Sequence, residues 1–251
     1  MTNDSTRTVL VTGAASGIGL SCAQMCLARG HNVLATDVNL LELERNFEAD
    51  SESLRIVSGD ITDPEFCKPV TSAAVSQFGR LDCLANWAGI ISSTTWDELT
   101  AEEFQKILCV NVIGSFLIAQ SAALHMQTRN KGAIVLTSST TVLSAGVGGS
   151  AGSGGPAYIA SKAAITGLVR TLARSLGPSG IRVNGVAPGV TDTPMIKNYS
   201  PENRLRQSKI SVLGRIGTPE EIAEVAYFLM SDASSFMTGE LVIVNGGAQF
   251  G

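Results

Sequence analysis

Tyr158 and Lys162 stand four residues apart in PAYIASKAAITGLVRTLARSL. The apolar residues of this stretch recur at helical intervals, so both side chains fall on one helix face, one turn apart. A phenol titrates at about pH 10, and a neighbouring ammonium favours its phenolate, bringing it toward the range where it can take a proton from an alcohol or return one to a carbonyl. The same spacing also suits a tyrosine at a core edge beside a solvated lysine, so the surrounding chain must decide. Twenty residues upstream of the tyrosine, the aliphatic run GAIVLTSS ends in the pair Ser138-Ser139, either of which could hydrogen-bond a substrate oxygen. The five cysteines form an odd set with no CxxC, and the chain has only two histidines, so neither a metal site nor a disulfide framework is expected. Cys22 and Cys26, one helical turn apart, read as small buried hydrophobes.

A second chemistry lies near the N-terminus. The run VLVT leads into Gly13-Ala14-Ala15-Ser16-Gly17-Ile18-Gly19, after which a helical pattern begins. Glycines at a strand-to-helix turn let backbone amides and the positive end of the helix dipole approach a pyrophosphate. The next apolar run ends at Asp37, 18 residues beyond Gly19, where a carboxylate can accept hydrogen bonds from adenosine ribose hydroxyls. Its charge would repel the 2′-phosphate of NADP, and neither Ser16 nor Val38 supplies a compensating cation. NAD is the expected cofactor.

These groups need a frame to hold them. Short aliphatic runs at 8–11, 32–36, 54–57, 81–85, 133–137, 182–186 and 241–244 alternate with helical patterns at 17–29, 64–78, 101–128, 157–176 and 219–230. That alternation predicts an α/β fold: a Rossmann-like, doubly wound parallel sheet of about seven strands with helices on both faces. The chain has 251 residues, 44% hydrophobic and 16% charged, enough for one well-packed domain over 1–251. With 18 basic against 22 acidic residues, a net charge of -4 and no basic run, nucleic acid is not an expected partner. Apolar runs look too short to span a membrane, and the polar start lacks the apolar core of a signal peptide, so a cytoplasmic protein without membrane contact is expected. The Gly/Ser-rich stretch 144–156, SAGVGGSAGSGGP, reads as a mobile loop.

With these features in order along the chain, the sequence resembles a short-chain dehydrogenase/reductase of the single-domain type. The resemblance runs from Val9 to Gly247 and rests on TGAASGIG at 12–19, Asp60 in GDITD, NWAG at 86–89, Asn111, Ser138-Ser139, Tyr158-x-x-x-Lys162, Asn184, PGVTDT at 188–193 and GRIGTPEEIA at 214–223. It implies that Asp60 and Ile61 line an adenine pocket and that Asn86, Ala88 and Gly89 border the cofactor. Pro188, Gly189, Val190 and Thr193 would face the nicotinamide carboxamide. Alignment with the family's fifth strand selects Ser139 over Ser138 as the catalytic serine, and the family pattern gives Asn111 a water that relays protons from Lys162. Two departures stand out. Ser139 lies 19 residues before Tyr158, farther than is usual, which suggests an insertion and leaves Ser144 as a fallback; Ala145, at the usual distance, has no hydroxyl. Trp87 replaces a small amide and should either wall the crevice or fill a gap in the core.

The resemblance further implies hydride transfer between NAD(H) and a small-molecule secondary alcohol or ketone, with Tyr158 as general acid/base. A lid is expected over 192–213, and Met195, Ile196, Tyr199, Val142, Leu143 and Trp96 suggest an apolar pocket for an alicyclic, aromatic or other small hydrophobic substrate. The alternatives are a 3-oxoacyl-thioester reductase and a catalytically silent nucleotide-binding protein. Association into a homotetramer or homodimer through the helices at 101–128 and 157–176 is also implied.

Overall fold

The computed structural model describes residues 6–47, 51–144 and 154–250. Seven apolar runs become the strands β1 (Thr8–Thr12), β2 (Asn32–Asp37), β3 (Leu54–Ser58), β4 (Cys83–Asn86), β5 (Gly132–Thr137), β6 (Ile181–Pro188) and β7 (Leu241–Val244). All pair in parallel, in the order β3-β2-β1-β4-β5-β6-β7. The connecting helices are α1 (Gly17–Ala28), α2 (Leu40–Asn46), α3 (Pro64–Phe78), α4 (Ala101–Leu108), α5 (Ser115–Gln127), α6 (Thr141–Ser144), α7 (Pro156–Leu176), α8 (Pro201–Ile210) and α9 (Pro219–Met230). Strand side chains alternate between two cores, as a period of two requires. Val9, Val11, Val33 and Ala35 pack against Cys22 and Cys26 of α1 and Ala223 and Ala226 of α9. Leu10, Leu34, Leu84 and Ile134 pack on the other face against α3, α5 and α7. The strand order reverses between β1 and β4, so the loops leaving their carboxyl ends diverge and open a crevice.

Three local features differ from the sequence reading. The helical pattern at 101–128 contains a π-helical turn, Cys109–Gly114, between α4 and α5. The continuous helix Ala101–Gln127 is also apolar and long enough to cross a membrane by length and composition, although half of its most apolar window is buried inside this fold. Helices α2 and α8 have no counterpart in the sequence pattern: α2 buries only Leu43 and α8 buries no residue, so neither carries a strong apolar period. Of the Gly/Ser-rich stretch, residues 145–153, Ala145 among them, lie outside the described residues.

Candidate active site

The turn after β1 is built by glycines whose missing side chains allow close packing. Gly13 adopts φ +64°, and a Cβ there would lie 2.8 Å from the Ala88 backbone nitrogen beyond β4. A Cβ on Gly19 would lie 2.1 Å from the Gly13 carbonyl oxygen. The missing side chains hold the ends of β1 and β4 together and leave bare backbone at the start of α1, a cradle that fits a pyrophosphate.

From this cradle a cavity of ≈ 400 Å³ extends both ways along the carboxyl edge of the sheet. Toward β2 it meets Asp37, whose Oδ2 accepts from the Ala15 N–H at 3.1 Å and whose Oδ1 accepts from the Asn39 N–H at 3.0 Å. These bonds fix the carboxylate at the strand tip. Asp60 is fixed similarly, its Oδ1 accepting from the Thr62 N–H at 2.8 Å. Ile61 sits beside it because residue 114 is glycine; a Cβ there would come within 2.8 Å of the isoleucine side chain.

Toward β5 the cavity reaches Ser139, Tyr158 and Lys162. The end of β5 clasps α7 at this point: the Lys162 ammonium donates to the Thr137 carbonyl at 2.9 Å, and the Ser138 hydroxyl donates to the Lys162 carbonyl at 2.8 Å. Ser138 is thereby spent on structure, whereas Ser139 lines the cavity with Tyr158. Ser144 is exposed and does not line the cavity. Burial pushes the Tyr158 phenol up to about 12, with the neighbouring Ser139 hydroxyl pulling it down and Tyr199 pushing it up. Burial lowers Lys162 to about 8. The phenolate is expected to be favoured by the lysine and the positive ring of oxidised nicotinamide together, and the protein's own groups alone leave the phenol raised. The ammonium stands 5.8 Å from the phenol ring centroid.

Of the residues assigned to a site from the sequence, Gly13, Ser16, Gly17, Ile18, Gly19, Asp37, Asp60, Ile61, Ala88, Gly89, Pro188, Gly189, Val190 and Thr193 line this one cavity with Ser139, Tyr158 and Lys162. Asn86 and Asn111 do not, and the reason is hydrogen bonding. Asn86 Oδ1 accepts from the Thr12 hydroxyl at 2.6 Å and its Nδ2 donates to Ser115 at 2.7 Å, joining β1, β4 and α5 behind the wall. Asn111 Oδ1 accepts from the Ile90 N–H at 2.8 Å, and its Nδ2 donates to the Ile90 carbonyl and to Ser161, each at 2.9 Å. Its side chain is committed to pinning the loop after β4 to α7.

Trp87 does both things expected of it: it lines the cavity and packs its indole into the core beside Cys22. Trp96, Val142 and Leu143 do not form the apolar wall. Trp96 is 80% exposed, and the wall comes instead from Ile90, Ile91, Pro194, Met195 and Ile196. The sequence reading missed Ile90 and Ile91, which directly follow NWAG, and Thr141, two residues beyond the serine pair. The segment 192–213 divides into a short turn over Pro194–Ile196, which reaches the cavity together with Tyr199, and the exposed α8. Its basic residues face water, where Arg204 pairs with Asp192 at 2.8 Å.

A glycine cradle at a sheet's switch point, an acidic residue at the tip of β2 and a buried Tyr/Lys pair define a nicotinamide-dinucleotide oxidoreductase of Rossmann type. A family profile described as enoyl-(acyl carrier protein) reductase matches residues 13–249. The chain is 35% identical to the 3-oxoacyl-[acyl-carrier-protein] reductase FabG of Thermotoga maritima, with 95% of this chain and 96% of that protein covered. It is also 35% identical to the cis-4-hydroxycyclohexanecarboxylate dehydrogenase of Sinomonas cyclohexanicum, with 96% of each covered. A similar solved structure, a tyrosine-to-phenylalanine variant of ElxO with NADPH bound, superposes with a TM-score of 0.88 at 30% identity, covering 97% of this chain and 99% of that one. The chain belongs to the short-chain dehydrogenase/reductase family.

Proposed function

We propose that the protein is an NAD-dependent dehydrogenase or ketone reductase for a small, uncharged secondary alcohol or ketone. The observation that carries this reading is that Ser139, Tyr158 and Lys162 share one cleft with Asp37. Gly13, Gly17 and Gly19 would admit the pyrophosphate, Asp37 the adenosine ribose, Asp60 and Ile61 the adenine, and Val190 and Thr193 the carboxamide. When bound, the nicotinamide ring takes up or gives the hydride, and its oxidised form adds a positive charge to the cleft.

In oxidation, the Tyr158 oxygen takes the proton of the substrate hydroxyl as the carbon loses hydride; in reduction it returns that proton to the carbonyl oxygen. Ser139 hydrogen-bonds the same oxygen and stabilises the charge developing there. Lys162, still an ammonium at neutral pH, balances charge on the phenolate. Asn111 acts behind them, holding Ile90 and α7 at their spacing, and remains the residue to which a relay water is assigned. Ile90, Ile91, Met195 and Ile196 favour an apolar substrate body, and Lys162 is the only cation among the described residues lining the cavity. NADP would bring its 2′-phosphate against Asp37 there, a repulsion of about 1 kcal/mol per charge pair in water-like surroundings and several-fold more where water is excluded.

Screening secondary alcohols, alicyclic ones first, while following NADH absorbance tests this reading; silence across the panel in the presence of NAD refutes it. The similarity to FabG supports a second reading, reduction of a 3-oxoacyl thioester. That reading requires thioester turnover, which a β-ketoacyl thioester assayed with NADPH and with NADH measures directly. Copies of the chain associate in the same proposal, because Ile113, Phe116 and Leu124 are exposed along the helix at 101–127, an apolar face that a second copy would cover in a dimer or tetramer.

A further inference from the structure

Ser139 Oγ receives two hydrogen bonds from a single residue. The Thr141 hydroxyl donates at 3.0 Å and the Thr141 backbone N–H at 3.3 Å. A hydroxyl has two lone pairs and one proton. With both lone pairs engaged, the proton is what Ser139 has left to give, and Tyr158 lines the same cavity. Thr141 lies in α6 on the cavity wall.

We infer that Thr141 is a positioning residue: it commits Ser139 to donating, so that Ser139 stabilises negative charge on the Tyr158 or substrate oxygen and does not compete for the phenol proton. The inference rests on the reading of Tyr158 as the acid/base. Hydrogen bonds in series polarise one another, so a serine hydroxyl that accepts from Thr141 is a stronger donor than one that does not. The titratable groups facing Tyr158 are Lys162 on its own helix and Tyr199 from the segment after β6, and a change at Thr141 alters neither.

The test compares Thr141→Val, which keeps shape and removes the hydroxyl, with Thr141→Ser, which restores it. For alcohol oxidation with NAD, Thr141→Val should lower kcat about three- to ten-fold, leave KM within about two-fold and move the rising limb of the pH profile up by about half a unit. Thr141→Ser should follow the wild type. Tyrosinate absorbance with NAD bound, read as a difference against Tyr158→Phe, should show the same displacement without relying on turnover. A Thr141→Val profile that overlays the wild type, a fall in kcat with no displacement, or failure of Thr141→Ser to restore the profile would overturn the inference. If instead Tyr158→Phe turns over normally, the acid/base reading fails, and an undisplaced tyrosinate titration then decides separately against Thr141.

Discussion

The Lys162 ammonium passes the Tyr158 ring to reach a backbone carbonyl: its Nζ lies 5.8 Å from the ring centroid and donates to Thr137 at 2.9 Å. Among the described contacts the lysine makes no hydrogen bond to the phenol, and its bond to Thr137 anchors it to the sheet. A charge so held is costly to bury, since its folded value of about 8 lies below the ordinary 10.5. Between those values the unfolded chain binds more protons than the folded one, so this group's contribution to stability rises with pH across the window and is least favourable below it. Lys162→Met should melt about 2–6 °C higher than the wild type at pH 7, with the gap closing by pH 10, while turnover is lost. Thermal denaturation at the two pH values checks this, and an unchanged or lower melting point at pH 7 contradicts it.

The phenol behaves in the opposite sense. Tyr158 is raised from 10.0 to about 12 by burial, so the folded chain keeps its proton longer and stability from this group declines as pH climbs between those values. Tyr158→Phe should lose about 10²–10⁴ in kcat while keeping NADH affinity within about three-fold, measured by nicotinamide fluorescence, and should show a flatter loss of stability in alkali. Equal loss of binding and turnover would mean that the ring, not the hydroxyl, was needed.

Gly13 carries the closest approach in the cradle. A methyl group there would meet the Ala88 nitrogen at 2.8 Å while the backbone is held at φ +64°. Gly13→Ala should cost about 1–3 kcal/mol of stability and weaken NADH at least about ten-fold, because β1 and β4 must part where the dinucleotide lies. Denaturant melts and fluorescence titration read the two effects; a variant with native stability and affinity would show that the contact yields freely.

Much of this arrangement could be read from the chain because it depends on periodicity and on residues with few alternatives. The strands show as runs of residues buried on both faces, and the turn after β1 shows because φ +64° at Gly13 admits little but glycine. What escaped notice depends on contacts between distant segments. The resemblance assigns Asn86 and Asn111 to the site, and their amides bond Thr12, Ser115, Ile90 and Ser161, partners that no local pattern announces. Helix α8 escaped because it buries nothing, and Trp96 misled because an exposed indole has the same letter as a buried one. The Tyr158 shift escaped because spacing along a helix reports the nearness of a cation and not the loss of water.

In the proposed NAD-dependent reading, cofactor choice rests on two adjacent positions. Asp37 is held by the Ala15 and Asn39 amides, while its neighbour Val38 is 68% exposed on the cavity rim. Asp37→Ser removes the repulsion and leaves a hydroxyl that can donate to phosphate; Val38→Arg adds a guanidinium able to bind it through two hydrogen bonds. The double variant should raise the ratio of kcat/KM for NADPH over NADH by about 100-fold or more, each substitution alone giving a smaller part, since a removed carboxylate and an added cation each contribute on the order of 1–2 kcal/mol at a half-exposed site. Steady-state kinetics with both cofactors at low and high salt measure this. The NADPH gain should shrink as ions screen the new pair, whereas a wild type already preferring NADPH would show that Asp37 does not govern the choice.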